Sequence, residues 1–222
     1  MNHYLRLFSF VFLFNLCQNL FAYTPQVGDL YFQDLNCGSL CNAITSVTFG
    51  YDQTEVSHVA LLIQASKNPE VIEAIGKDVH LTPLAQFLNR SLDKNKNPRV
   101  FVGRLKAKYQ RLIPQAITYM KSWLYLPYNK DFNPNNHYKS FYCSELVDQG
   151  FYLANDKKHI FPLNKMTFKK DGQTLPQWQA YFKAIDKDIP EGEIGTNPGL
   201  LSRSKAINII YFYGKLRTIK TS

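Results

Sequence analysis

The sequence predicts an α+β fold in which a largely antiparallel β-sheet packs against helices. Two short segments rich in aliphatic and β-branched residues, 57–64 (SHVALLIQ) and 70–76 (EVIEAIG), are joined by the loop ASKNP, which is the pattern of an antiparallel hairpin. Segments with helical spacing of apolar residues lie before and after this hairpin. No internal repeat or low-complexity tract divides the chain.

The other elements follow from local signals along the chain. Pro83 predicts the first turn of a helix in LTPLAQFLNRSL, with Thr82 as its N-cap. Pro114 predicts the entry to a later helix, PQAITYMKSWLYL. The remaining predicted elements are a strand at 28–33, a helix at 38–48, a strand at 99–105, a helix that begins near Cys143, a short helix at 176–185 and a last strand at 206–214.

The N-terminus predicts an exported protein. Arg6 precedes an apolar run at 7–16, and Ala22 follows shortly before a polar stretch. That run is shorter than the roughly 20 residues that span a bilayer, and it fits a cleavable signal peptide at 1–22. The alternative is a buried N-terminal helix, but the change of composition at Tyr23 argues against it. The rest, 23–222, is predicted to be a single domain with no transmembrane segment, located in the periplasm or secreted.

Composition limits the range of functions. The chain has 222 residues, 45% of them hydrophobic, and a formal net charge of +9. Its basic residues are spread out and accompany no nucleic-acid motif, so nucleic acid is not an expected partner. A basic surface instead makes an anionic component of the cell envelope a candidate partner. No metal or organic cofactor is implied.

The cysteines divide into a pair and a remainder. Of four cysteines, Cys17 would leave with the signal peptide. An oxidising destination favours pairing, and Cys37 and Cys41 are close enough in sequence to form a disulfide. A zinc site is disfavoured because no second Cys or His pair with ligand spacing follows. Cys143 is then left over, and we expect it to be bonded to neither of the other two.

Cys143 could be a nucleophile, a partner in an intermolecular bridge or a small buried side chain. The start of a helix favours a thiolate, because its unpaired N–H groups and dipole attract negative charge. His58, which opens the strand SHVALLI, is the best-placed base, although a histidine satisfied by a backbone carbonyl is the simpler interpretation. Glu73 could orient the imidazole, or it could face solvent. The register of the hairpin, which decides between these, is not fixed by the sequence.

Four segments taken in order, GDLYFQ, SHVALLI, VIEAIG and YCSELV, resemble the bacterial permuted papain-like amidases of the YiiX/YaeF type, within the NlpC-type superfamily. The resemblance runs from Gly28 to about position 204. It implies a circularly permuted papain-like fold in which Cys143 is the nucleophile, His58 its base and Glu73 the third member. Asn129 departs from the family pattern, which has an aspartate after the Pro-Tyr pair.

The predicted function is therefore a secreted cysteine hydrolase that cleaves an amide or peptide bond through an acyl-thioester. The cell envelope is one candidate source of the substrate. Two alternatives stay open. The same triad could serve a lipid acyltransferase or thioesterase, or the chain could be a secreted binding or effector module without catalysis.

Overall fold

The computed structural model describes residues 23–219, so the predicted signal peptide at 1–22 lies outside the described residues. The strands are β1 (Leu30–Gln33), β2 (His58–Gln64), β3 (Glu70–Ile75), β4 (Asp78–Pro83), β5 (Val100–Leu105), β6 (Asn164–Lys165), β7 (Lys169–Lys170), β8 (Gln173–Thr174), β9 (Ile194–Gly195) and β10 (Ile207–Phe212). The helices are α1 (Ser39–Val47), α2 (Leu84–Asn89), α3 (Ala107–Gln110), α4 (Ile113–Ser122), α5 (Cys143–Ala154), α6 (Pro176–Ala184) and α7 (Pro198–Ser202).

Six strands form one sheet in the order β10-β5-β1-β2-β3-β4, and every neighbouring pair is antiparallel. The predicted α+β class with an antiparallel sheet is confirmed. The short strands pair separately, β6 with β9 and β7 with β8. Within residues 23–219, no helix has the length and apolar character needed to cross a bilayer.

Helices cover both faces of the sheet, which explains why β2 is apolar along nearly its whole length. On one face, α4 and α5 pack against side chains such as Leu61 and Ile72. On the other face, Phe87 of α2 packs against Ala60 and Leu62. A third apolar cluster surrounds α6 and lies next to the start of α5; its buried members are Ala43, Phe132, Tyr142, Phe168, Trp178 and Phe182. The main core therefore fixes α5, including Cys143, against the sheet, and the third cluster holds Tyr142, the residue before the helix.

The helix predicted to begin at Thr82 and Pro83 begins later. Both residues belong to β4, and α2 starts at Leu84. A residue before proline is driven toward extended backbone, and here pairing of Val71 with Thr82 across β3 and β4 extends the strand through Pro83. The strand β4 is missing from the sequence prediction, although residues 78–82 (DVHLT) alternate polar and apolar side chains as a half-buried strand does.

The hairpin of β2 and β3 has the register that the sequence left open. Leu61 pairs with Ile72, and the register shifts between Leu62 and Gln64. Since alternate residues face opposite sides, His58 and Glu73 share one face and are staggered by two positions. Such diagonal neighbours are within reach of long side chains.

The helix α1 carries the disulfide. Cys37 and Cys41 are joined, with their Cα atoms 5.3 Å apart, and Cys143 is the free cysteine of the described residues. The bridge ties the first turn of α1 to the segment that precedes it. Because α1 packs on α6, the bridge lies beside the third apolar cluster.

Candidate active site

The helix α5 begins at Cys143 and is held by close packing. Tyr142 precedes it in extended backbone (φ −90°, ψ 167°), and its backbone N–H donates to Glu145 Oε2 at 3.2 Å. A Cβ at Gly150 would lie 3.3 Å from the backbone oxygen of Ala116 and would displace the side chain of Met120, so glycine favours the close approach of α5 to α4. Cys143 is 5% exposed. The sulfur is therefore placed at a helix start whose N–H groups have no intrahelical partner.

His58 lies at the first position of β2 and contacts both other residues of the predicted triad. Its Nε2 is 2.6 Å from Glu73 Oε2, and Cys143 is near enough to raise the pKa of the imidazole. Because a carboxylate only accepts hydrogen bonds, Nε2 carries a proton and Nδ1 is left for the thiol. Burial by itself lowers the pKa of His58, but the hydrogen bonds with Cys143 and Glu73 outweigh it and raise the pKa to about 9. These interactions favour the protonated form of the imidazole.

Glu73 is fully buried and surrounded by donors. Thr82 donates its hydroxyl to Oε1, and Arg90 donates to both oxygens, at 2.8 Å for Oε2. Burial favours the neutral acid, but Arg90 and His58 hold the pKa of Glu73 well below its usual range. The carboxylate is therefore a fixed negative charge that orients the His58 ring and stabilises its protonated form.

Thr82 and Arg90 were missed by sequence reasoning. A buried carboxylate requires a counter-charge or several donors, so Glu73 implied such partners without identifying them. Arg90 follows α2 and lies 17 residues from Glu73 in sequence. Its proximity depends on the position of β4 and α2, which the sequence placed incorrectly.

A second glutamate, Glu145, lies in the first turn of α5. Besides the Tyr142 N–H, it accepts from Asn129 Nδ2 at 3.0 Å and Asn136 Nδ2 at 3.2 Å. Its burial raises the pKa to about 7, although these three hydrogen bonds pull it down. Asn129 also bonds the backbone of Asn133 through both ends of its amide. Asn129 therefore attaches the Asn/Pro-rich loop to the start of α5.

Two other histidines, His80 and His159, pair with carboxylates. His80 Nε2 is 3.9 Å from Glu73 Oε1, and its Nδ1 is 2.9 Å from Asp78 Oδ1. His159 Nδ1 is 3.0 Å from Asp148 Oδ2. His58 is the histidine whose pKa is raised by Cys143.

A narrow groove with a cavity volume of about 70 Å³ opens at Cys143. Helix α1 forms one side, α6 and α7 contribute further walls, and Tyr142 and Ser144 flank the cysteine. The apolar lining residues are Ile44, Val47, Phe132, Met166, Phe168 and Pro198. An acyl group bound to Cys143 therefore has an apolar space next to it.

A buried cysteine at a helix N-terminus, with a histidine and a carboxylate from earlier strands, defines a papain-like site in permuted chain order. Residues 24–211 match the family described as permuted papain-like amidase enzyme, YaeF/YiiX, C92 family. The chain belongs to this family, and the resemblance that the sequence indicated is confirmed.

Two relatives give the extent of the likeness. The protein YiiX of Escherichia coli (strain K12) is 33% identical over 179 residues, which are 80% of this chain and 82% of YiiX. A crystal structure of "metalloprotein yiiX" from Escherichia coli O157:H7 has a TM-score of 0.66 and 25% identity, covering 86% of this chain and 98% of that one. Within residues 23–219 of the present protein, no three His, Cys, Asp or Glu side chains are grouped to hold a metal ion. The described residues thus do not fit a metal site.

Proposed function

We propose that this protein is a cysteine hydrolase that cleaves an amide or peptide bond, with Cys143 as nucleophile, His58 as acid–base and Glu73 as the orienting carboxylate. The observation that carries the proposal is that His58 pairs with Glu73 at 2.6 Å while Cys143 raises the pKa of the same imidazole. Each residue meets one requirement of nucleophilic catalysis: a reactive atom, a base and a group that orients the base. The family, which consists of permuted papain-like amidases, supports the same reaction class.

The first half-reaction forms an acyl-enzyme. With the thiol proton on His58, the Cys143 sulfur attacks the carbonyl carbon, and the carbonyl oxygen becomes an oxyanion. Backbone N–H groups at the start of α5 are suited to stabilise that charge. The tetrahedral intermediate collapses, the C–N bond breaks, and His58 gives its proton to the leaving amine. The product is a thioester on Cys143.

The second half-reaction releases the acid. Neutral His58 takes a proton from water as the water oxygen attacks the thioester carbonyl. The second tetrahedral intermediate expels the Cys143 thiolate, and the protonated imidazole again pairs with it. Glu73 keeps its charge throughout, since Arg90 stays bonded to it.

Transfer of the acyl group to an acceptor other than water is the second candidate, and it includes lipid acyl transfer. The apolar lining of the groove beside Cys143 favours it, because a site that excludes water lengthens the life of a thioester. Anionic envelope components remain proposed partners on the ground of the +9 formal charge. Export by a signal peptide at 1–22 is likewise a proposal, and N-terminal sequencing of the exported protein would test it.

A thiol-reactive probe tests the chemistry without knowledge of the substrate. We expect labelling at Cys143, located by peptide mapping, and loss of labelling in His58→Ala. His159→Ala is a matched control, because His159 also pairs with a buried carboxylate, Asp148, which is not a member of the proposed triad. Exposure to an envelope extract should leave an acyl adduct on Cys143, visible by mass spectrometry. Equal labelling in wild type and His58→Ala, with no adduct, would favour a non-catalytic binding module.

A further inference from the structure

A second, wider cleft lies on the side of helix α1 that faces away from the groove at Cys143. Ile44 and Val47 of α1 line the groove, whereas Thr45 and Ser46 line the cleft. Since about 3.6 residues complete one helical turn, these two pairs point to roughly opposite sides of α1. The cleft has a volume of about 750 Å³, compared with about 70 Å³ for the groove. A ligand in the cleft therefore occupies a site of its own.

The cleft is lined by basic side chains, namely Lys94, Arg99, Lys170, Lys215 and Arg217. Arg217 already has partners, because its Nε is 3.1 Å from Glu55 Oε2 and its guanidinium bonds Asp34 through two nitrogens. Within residues 23–219, the other four basic side chains form no salt bridge. Four cations of one cleft are therefore without a protein counter-charge in the described part of the chain.

The acidic residues of the lining do not cancel this charge. They are Glu55, which pairs with Arg217, and Asp93. Asp93 Oδ1 accepts from the backbone N–H groups of Asn95 and Asn97 at 2.8 and 2.9 Å, and its Oδ2 accepts from the backbone N–H of Lys215 at 3.2 Å. Asp93 thus holds the backbone of the wall together, and the lining keeps five basic against two acidic side chains.

The walls that carry these cations are fixed. A Cβ at Gly214 would lie 2.8 Å from the backbone oxygen of Pro98, so the closing segment of the chain packs against the segment before β5 more closely than a larger residue allows. The backbone of Arg99 donates to Ser91 at 2.9 Å and accepts from Asp34 at 3.0 Å. Its side chain is half-buried, and a guanidinium there presents a rigid fork of N–H donors without a carboxylate to receive them.

The charge and the fork decide the class of ligand. A phosphate monoester carries about 1.5 to 2 negative charges and three accepting oxygens on one group, whereas a carboxylate carries one charge and two oxygens. Arginine can bind two phosphate oxygens at once, and lysines add mobile point charges around it.

We propose that this cleft binds a phosphate group, supplied by a lipid headgroup or by a soluble phosphate compound. The site goes beyond the proposed hydrolase, because it lies apart from Cys143 and does not depend on Cys143 being a nucleophile.

Calorimetry with inorganic pyrophosphate at constant ionic strength tests the site. Arg99→Gln/Lys215→Gln should raise the Kd about 10-fold or more, because hydrogen bonds to a charged group are lost. Arg111→Gln/Lys121→Gln is the matched control, since it removes the same two charges from exposed side chains outside the cleft lining. The control should change the Kd by less than about 2-fold, because salt screens exposed charges that do not touch the ligand. Lys94→Gln/Lys215→Gln, which alters exposed side chains alone, decides the matter if Arg99→Gln does not fold.

Two further probes identify the source of the phosphate. They are glycerol 3-phosphate, followed by calorimetry, and vesicles of phosphatidylcholine with and without phosphatidic acid, followed by sedimentation. Binding of glycerol 3-phosphate and of the phosphatidic acid vesicles, both weakened by the cleft variant and not by the control, supports a lipid headgroup. Binding of glycerol 3-phosphate alone supports a soluble phosphate compound.

Three results would overturn the proposal. They are no binding of pyrophosphate, equal weakening by the cleft variant and the control, which means diffuse attraction to a basic surface, and binding of malonate as tight as that of pyrophosphate, which means a site for any anion. None of them bears on the hydrolase, which the labelling of Cys143 tests separately.

Discussion

Two buried glutamates lie near the proposed nucleophile, and the pKa values of their carboxyl groups are shifted in opposite directions. Glu73, on the sheet, accepts hydrogen bonds from Arg90 and His58, and its pKa is held well below its usual range despite its burial. Glu145, in the first turn of α5, accepts only from a backbone N–H and two asparagine amides, and its burial raises its pKa to about 7. The two pKa shifts differ because only Glu73 has a positively charged partner in Arg90. Hydrogen bonds from neutral donors only reduce the rise in pKa that burial causes, whereas Arg90 turns it into a fall.

This contrast assigns different tasks to the two ends of the site. The Glu73 end keeps one ionisation state over a wide pH range, as an orienting carboxylate requires. The Glu145 end gains or loses a proton near neutral pH. Because Asn129 and Asn136 both bond Glu145, the protonation state of Glu145 affects how firmly the Asn/Pro-rich loop is attached to the helix that carries Cys143.

Removing the counter-charge is the largest expected change. Arg90→Met keeps the aliphatic stem but removes the guanidinium from buried Glu73 and leaves His58 and Thr82 as its partners; removing one partner of a buried ion pair costs about 3–5 kcal/mol in the free energy of unfolding. Denaturant unfolding at neutral pH measures this. Activity should fall as well, because Glu73 would no longer be held as a carboxylate against His58.

Arg104→Met is the matched control for that variant. Arg104 pairs with Asp29, a carboxylate that is 1% exposed, and its own side chain is 25% exposed, compared with 21% for Arg90. Arg104→Met should lower stability but leave the rate per folded molecule and its pH profile unchanged. Equal effects of both variants on the pH profile would mean that Arg90 has no special relation to the site.

The carboxylate itself is tested by Glu73→Gln. A glutamine can still orient the ring, as the amide of a Cys-His-Asn triad does, but it cannot stabilise the imidazolium. We expect kcat/KM to fall by about 10²-fold, less than in Cys143→Ala. Since Glu73 helps to raise the pKa of His58 to about 9, the alkaline limb of the pH profile should move to lower pH. An unshifted limb with reduced activity would contradict the electrostatic role of Glu73.

The sequence alone indicates the three proposed catalytic residues. It does not indicate the residues that bond to them. His58 and Glu73 belong to one hairpin, whose strands were evident from aliphatic runs, and a helix start at Cys143 follows from local pattern. The hairpin register depends on an irregularity between Leu62 and Gln64 that no residue type signals.

Partners from separate elements could not be predicted in the same way. Thr82 is predicted to be a helix cap because a threonine before a proline often is one. In the structure it belongs to a strand, and the pairing of that strand places its hydroxyl at Glu73. Asn129 stood out as a departure from the family pattern, and its physical role is to donate a hydrogen bond to Glu145. Such roles are set by tertiary contacts, which local propensity does not contain.

At the Glu145 end, Glu145→Gln should remove a pH dependence of stability. The folded pKa of about 7 lies above the ordinary value of 4.5, so Glu145 favours folding fully below about 4.5 and loses that contribution as pH rises through about 7. Relative to wild type, the variant should therefore gain about 2 kcal/mol between about pH 5 and about pH 8. Thermal or denaturant unfolding across this range measures the difference, and parallel curves would contradict it.

Asn129→Asp is the converse change. It places a second carboxylate where an amide now donates to Glu145 Oε2 at 3.0 Å. Repulsion between like charges should raise the pKa of Glu145 further and make the loss of stability with rising pH steeper. A pH dependence that matches wild type would show that Asn129 does not control the ionisation of Glu145.

The smallest expected effect comes from Thr82→Val, which deletes one donor to Glu73 and keeps its shape. A hydrogen bond to a charged group contributes about 1.5–3 kcal/mol, but Arg90 also donates to the same Glu73 oxygen, Oε1, and remains in place. We therefore expect a loss of about 1 kcal/mol in the free energy of unfolding and an alkaline limb that stays where it is in wild type. Thr82→Ser, which restores the hydroxyl, should recover most of the loss. If Thr82→Val instead shifted the alkaline limb as far as Glu73→Gln does, the hydroxyl rather than Arg90 would be what holds Glu73 against His58, and the contrast between the two glutamates would have a different cause.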